Sequence, residues 1–300
     1  MKMWDSKQLW MKTKTYAERA NQVSHDDPHF PFWSSLSLEL LARAALTKIH
    51  PVLNAEPREP VNILYGCGFT VPGQPKSLPA HSVFLRLEIT IPEFTKAQRE
   101  VCEFLSLLRN QELHTAALPF VNLKESKWLP RYYETCKILC SSLKKTLDDL
   151  FGKEIAATAE TLITTLAKHT ESAVKKRIAD HAKTFTSKSK SDRSKLIRES
   201  RIALLRRKPA SEHEPCPACK TKGILLGDLI KELAPEYVDD RLFIGQEFLA
   251  TQLTCLACGL TLRNAEEVSI AGIEPRFTDT RETSLHELYE PEFEEEYDNM

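Results

Sequence analysis

Apolar positions along this chain recur mostly at helical intervals. Over residues 4–22, Trp4, Leu9, Trp10, Tyr16 and Ala17 punctuate a polar background and predict a helix, which HDDPHFPFW then breaks. FWSSLSLELLARAALTKI follows, with Leu36, Leu38, Leu40, Leu41, Ala44, Ala45 and Ile49 at near-helical spacing and Pro51 closing the run, so it is expected to be the most buried helix. Residues 54–80 are Pro-rich and read as an excursion, in which VNILYGCGF suits a short strand. SVFLRLEITI alternates from Val83 to Ile91 and reads as a second strand, giving a short β insert near 61–91. Helical periodicity returns at Lys96–Ala116 (Val101, Phe104, Leu105, Leu108), again from Trp128 to Gly152, and in a long segment from Glu154 to about Ala182. TFTSKSKSDRS loosens that helix and SKLIRESRIALLRR resumes it.

Composition supports the helical reading, because 300 residues contain only nine glycines, too few to punctuate many short strands. With 42% apolar and 28% charged residues the chain is globular. No run approaches the roughly 20 apolar residues that cross a bilayer, and MKMWDSKQLWMK lacks an apolar signal core, which predicts a cytoplasmic protein without a membrane partner. The net charge of −1 conceals segregation: thirteen Lys/Arg between Lys175 and Lys208 face only Asp180, Asp192 and Glu199, whereas nine acidic residues from Asp279 onward face only Arg281. The basic stretch suits either an RNA path, with Phe185 available to stack on a base, or a solvated helix face. The acidic end suits a solubilising tail or a cover for the basic stretch.

Four of the eight cysteines form two CxxC pairs, PCPAC and TCLAC. A two-residue spacer lets both thiolates of a tight turn point at one ion, and two such turns make a tetrahedral all-sulfur zinc site. Cys216, Cys219, Cys255 and Cys258 are therefore the expected ligands of a structural Zn2+, with GILLGDLI and EFLATQL as flanking strands. His213 is read as a loop residue outside the filled shell, Cys102, Cys136 and Cys140 as buried apolar groups, and the four Trp residues as core or contact residues.

The segment LLRNQELHTAA places Arg109, Asn110 and His114 at the end of a predicted helix. Asn110 and His114, four residues apart, share a face, with Arg109 about 100° round from Asn110 at the edge of the apolar stripe. A guanidinium to grip a phosphate and an imidazole to exchange a proton near neutrality suit metal-independent RNA cleavage by the substrate's own 2′-hydroxyl. The other reading is an ordinary solvated helix face. Arg281 and His286 repeat the spacing, so spacing alone does not decide.

A helical domain carrying Arg109, Asn110 and His114 in this order resembles the HEPN superfamily of ribonucleases. FWSSLSLELLARAALTKIHPVL, RNQELHT and KWLPRYYE, followed by CPAC and CLAC, resemble bacterial proteins that join such a domain to a zinc ribbon. The resemblance implies an endoribonuclease, a homodimer with both motifs facing one cleft, RNA as substrate, and a role in antiphage defence or as a toxin; the sequence leaves open whether a regulatory protein partner restrains it. It also admits a non-catalytic nucleic-acid-binding protein whose helical domain dimerises. The expected architecture is mainly α: an antiparallel HEPN-like helical bundle over 1–208, a small β zinc ribbon over 209–275, and an acidic, flexible tail over 276–300.

Overall fold

Residues 3–204, 210–238 and 241–284 are described by the structure, a computed structural model. The chain divides into two compact units, Met1–Ala167 and Lys168–Met300.

The first unit is helical. Its elements are α1 (Ser6–Asn21), α2 (His29–Ile49), α3 (Pro60–Gly66), α4 (Ala80–Thr90), α5 (Lys96–His114), α6 (Leu129–Ser142), α7 (Leu147–Phe151) and the start of α8 (Lys153–Thr186). Helix α2 is the hub, packing against α1, α4, α5 and α6. That position explains its composition: Phe30, Leu38, Leu41, Ala42, Ala44, Ala45 and Leu46 are all buried, so almost every face of the helix meets protein. Side-chain caps set the limits of several helices. Asp5 accepts from Gln8 N at 2.9 Å to start α1, and Thr95 with Gln98 forms a capping box at the start of α5.

The β insert expected near 61–91 is not formed, because both of its strands are helices, α3 and α4. The alternation from Val83 to Ile91 counts Leu85 and Ile89 as inward, yet these are 39% and 83% exposed. The buried set is Val83, Phe84, Leu87 and Ile91, spaced three and four apart, which is the helical solution of the same residues.

In the second unit, the rest of α8 and α9 (Lys190–Leu204) precede β1 (Ser211–Pro215), β2 (Lys222–Glu232), β3 (Glu236–Val238), β4 (Arg241–Thr254), β5 (Thr261–Leu262), α10 (Ala265–Ile270) and β6 (Arg276–Thr283). Helix covers about 56% of the residues, but the C-terminal part is a curled, six-stranded antiparallel half-barrel. The mainly α class with a small β ribbon is thus corrected to a helical region followed by a substantial sheet. Strand β4 organises it, pairing with β2, β3, β5 and β6. Register shifts at Leu226/Gly227 and Leu229/Lys231 bend β2, as bulges do.

Four further expectations change here. The boundary lies at 167/168, within α8, rather than at 208/209, because Val174, Ile178, Phe185, Leu196 and Ile197 belong to the core of the sheet unit. Phe185, only 6% exposed, is a core residue and offers no face to a base. Residues 276–283, assigned to a flexible tail, form β6, and His213 lies in β1 rather than a loop. The remainder of the acidic end, 285–300, with His286, and Arg206, Arg207 and Lys208 of the basic stretch lie outside the described residues.

The curl brings the Phe277 ring over Gly227, where a Cβ would stand 2.7 Å from Cε1, and the ring also stacks on Phe248 at 5.3 Å. Gly227→Val should destabilise the protein by about 1–3 kcal/mol through this overpacking, seen as a lower midpoint in urea unfolding followed by circular dichroism.

Candidate functional site

Two constellations stand out, one in each unit. In the second, two turns of matching design carry the cysteines. Cys216 N donates to Thr221 O and Lys220 N to Cys216 O, at 2.7 and 2.9 Å. Cys255 N donates to Leu260 O and Gly259 N to Cys255 O, at 2.9 and 2.8 Å. Lys220 and Gly259 occupy equivalent places, and both have positive φ, 62° and 76°. Each turn thereby folds its two thiols inward, and the four sulfurs lie within 4.8 Å of one another.

Cys216 Sγ is 3.6 Å from Cys258 Sγ, and Cys219 Sγ is 3.5 Å from Cys255 Sγ. These separations are far beyond a disulfide bond and near the roughly 3.8 Å edge of a tetrahedron with metal–sulfur bonds of ~2.3 Å. All four predicted ligands converge, and together they could hold a metal ion. Hydrogen bonds from Cys216 and Cys258 push the Cys255 thiol down. Its hydrogen bond to Cys255 pushes Cys216 up to about 12. Loading an ion would therefore release protons, so affinity would rise with pH and weaken as pH falls.

Side chains that the sequence did not single out surround this cluster. Thr221 Oγ1 is 2.8 Å from Cys219 Sγ and 3.4 Å from Cys255 Sγ. From α8, His181 Nδ1 meets the Cys258 carbonyl at 2.9 Å, with the imidazole lying against Gly259. One turn earlier Arg177 donates to Thr261 O at 3.2 Å and to both oxygens of Glu267, at 2.6 and 3.2 Å. Glu267 also accepts from Arg263 N at 2.9 Å. Burial acts against its charge, yet Arg177 and Arg263 outweigh it and hold the carboxyl below its ordinary range.

In the helical unit the buried residues of α5 are Gln98, Cys102 and Leu105, and Arg109 continues that line. This differs from the stripe read from the sequence, since Phe104 is 40% exposed, and it moves Arg109 from the edge to the inward face. A carboxylate on α2 receives it. Glu39 accepts from Arg109 Nη1 and, at 3.0 and 2.8 Å, from Arg43 Nε and Nη2, and the Arg109 and Glu39 side chains are only 14% and 15% exposed. Burial opposes ionisation of Glu39, but Arg43 and Arg109 prevail and lower its pKa. On the opposite side of the guanidinium, Asn110 Oδ1 accepts from Nε and Nη2 at 3.2 and 2.9 Å, and Ser106 Oγ from Nη2 at 3.2 Å.

Arg109, Asn110 and Glu39 line an open depression with Ser106, Phe104 and Leu107. Glu103, on the same wall, is matched by Arg99 and His81 at 2.8 and 2.9 Å, while Glu100 is exposed. His114, last residue of α5, is exposed one turn beyond Asn110. The structure thus joins Arg109 to Asn110 directly and leaves His114 on the adjoining surface. The missed residue is Glu39, for which one signal existed: a lone acid in the apolar run LELLARAAL, four residues before Arg43.

Because the unfolded carboxyl titrates near 4.5 and the folded one below it, Glu39 contributes stability that is present above the unfolded value and lost as pH falls through the folded one. Glu39→Gln should therefore unfold at lower urea than the wild type at pH 7, and the gap should narrow toward pH 3. A second expectation concerns the sulfurs: Cys258→Ser should lower the melting temperature of the sheet unit and abolish its response to chelators, read by near-ultraviolet circular dichroism.

Among the described residues no helix is long and apolar enough to cross a membrane. No family model, curated protein or solved structure matches the chain.

Proposed function

We propose that the chain is a HEPN-type endoribonuclease that cuts RNA by transesterification, with a C-terminal unit assembled around a structural zinc ion. The observation that carries this reading is the state of the Arg109 fork. Glu39 anchors the guanidinium from behind through Nη1, and the Nε/Nη2 edge faces Asn110 Oδ1 beside an open depression. That edge is the one with which arginine grips a phosphate, so Asn110 Oδ1 stands where a phosphate oxygen would bind.

In the proposed reaction the ribose 2′-oxygen attacks phosphorus, the bond to the 5′-oxygen breaks, and the products are a 2′,3′-cyclic phosphate and a 5′-hydroxyl. Arg109 stabilises the charge growing on the phosphate, Asn110 moves from the fork to orient the substrate, and His114 transfers a proton at the 2′-oxygen or the leaving oxygen. One imidazole cannot take the first proton and supply the second at once, which favours a homodimer in which a second His114 completes the pair. Phe104 and Leu107, 40% and 56% exposed on the same wall, provide apolar surface that a second copy would cover. Attack by the substrate's own hydroxyl calls for no metal-bound water. Zinc is the ion that suits the other site, since four thiolates fill a tetrahedral shell and leave no place for substrate.

His114→Ala is the decisive variant, because the residue is exposed and its loss leaves the Glu39 network intact. During brief exposure to EDTA, wild-type protein should cleave RNA to cyclic-phosphate ends and His114→Ala should be slower by about 100-fold or more. Cleavage by the variant at the wild-type rate would remove His114 from the mechanism. Elemental analysis of the purified protein should find one zinc per chain.

A further inference from the structure

Several cations of the helical unit are matched: Arg43, Arg99, Arg109 and Lys137 each face a carboxylate. Those along the exposed side of α9 and at the end of α8 differ. Lys183, Lys188, Lys190, Lys195, Arg198 and Arg201 are all exposed, and none has a carboxylate partner among the described residues. They are also sorted in space. On a helix advancing about 100° per residue, the inward line of α9 runs through Ser200 and Leu204, with Leu196 and Ile197 on the core. Lys190, Lys195, Arg198 and Arg201 then fall on one flank and the outer face, and Asp192 and Glu199 on the other flank. Asp192 is further occupied at the start of α9, accepting from Ser189 Oγ at 2.7 Å.

We propose that the cationic flank of α9, together with Lys183 and Lys188, is a binding surface for the phosphate backbone of nucleic acid, and that the second cysteine turn holds the α8 part of it in place. This surface belongs to a different unit from Arg109 and does not rest on cleavage there. Its support is mechanical. His181 is fastened to the Cys258 carbonyl and Arg177 to Thr261 and Glu267, so α8 is tied at two successive turns to the loop that bears two of the four sulfurs. Val174 and Phe185, buried on the same side, complete the seam.

The chemistry of the surface selects backbone over bases. Phe185, the only aromatic residue of α8 or α9 in the described chain, is buried, so no ring is available for stacking and recognition is by charge. A lipid surface fits less well, because Leu196 and Ile197 of α9 are spent on the core and Ile202 is the one large apolar side chain the described helix exposes.

The test uses the full chain in the His114→Ala background, so that RNA stays intact, with fluorescence anisotropy of labelled 20-nucleotide RNA and DNA across a salt series. Both should bind with affinities within about threefold of each other and with a steep salt dependence. The triple variant Lys195→Glu/Arg198→Glu/Arg201→Glu should bind at least 10-fold more weakly, with a log–log salt slope smaller by about 2–3. Unchanged affinity in a triple variant with wild-type helix and metal content overturns the proposal. So does a variant that loses binding to phosphatidylserine vesicles while keeping it for RNA. For the coupling, His181→Ala should retain bound metal but bind RNA more weakly and open α8 faster in hydrogen exchange; wild-type values for both would show that the turn does not position the helix. Failure of RNA cleavage in the wild type would leave these results standing, since they measure binding alone.

Discussion

The C-terminal unit depends on one constraint, the convergence of four sulfurs from two turns that are 36 to 42 residues apart in sequence. A six-stranded sheet built on a single central strand has little reason to close at that end unless something joins the β1–β2 turn to the loop after β4. The cysteine cluster does so. Because the second turn is also fastened to α8 by His181 and Arg177, the same cluster reaches beyond the ribbon to the helices before it. The unit built on the cysteine cluster is therefore larger than a ribbon, and the basic helices belong to its architecture rather than to a linker.

A second buried arrangement governs the helical unit. Glu39 is placed by α2, the most enclosed helix, and would be costly to ionise there without compensation. Arg43 on the same helix and Arg109 from α5 provide it. The consequence is orientation: a long side chain that would otherwise sample many rotamers is held by Glu39 at one end, with its other edge on Asn110 and Ser106 beside the open depression. A guanidinium anchored in this way meets a phosphate without first losing side-chain entropy.

The two units divide the proposed work. The chemistry on α5 needs a rigid guanidinium and an accessible imidazole, while capture of a polyanion needs many cations without competing carboxylates. The pairing of Arg109 with Glu39 in the first unit, and the exposed cations of α9 without a carboxylate partner among the described residues of the second, follow that division.

Much of this was legible from the residues alone. Two CxxC pairs announced a four-sulfur site because ligand spacing is a local property of tight turns, and the strongly periodic helices α1, α2, α5, α6 and α8 were evident for the same reason. Local pattern failed where two periods fit the same letters: SVFLRLEITI alternates and is also helical, and only packing against α2 and α5 chose among its apolar residues. It failed again for Arg109, whose inward direction is decided by a carboxylate 70 positions away, and for the domain boundary, since nothing within α8 signals that its two halves join different cores. The sequence by itself determined the four cysteines that converge, the periodic helices and the segregation of charge. Tertiary structure decided which faces are buried and which charges meet, because burial and ion pairing are relations between distant segments that no local window contains.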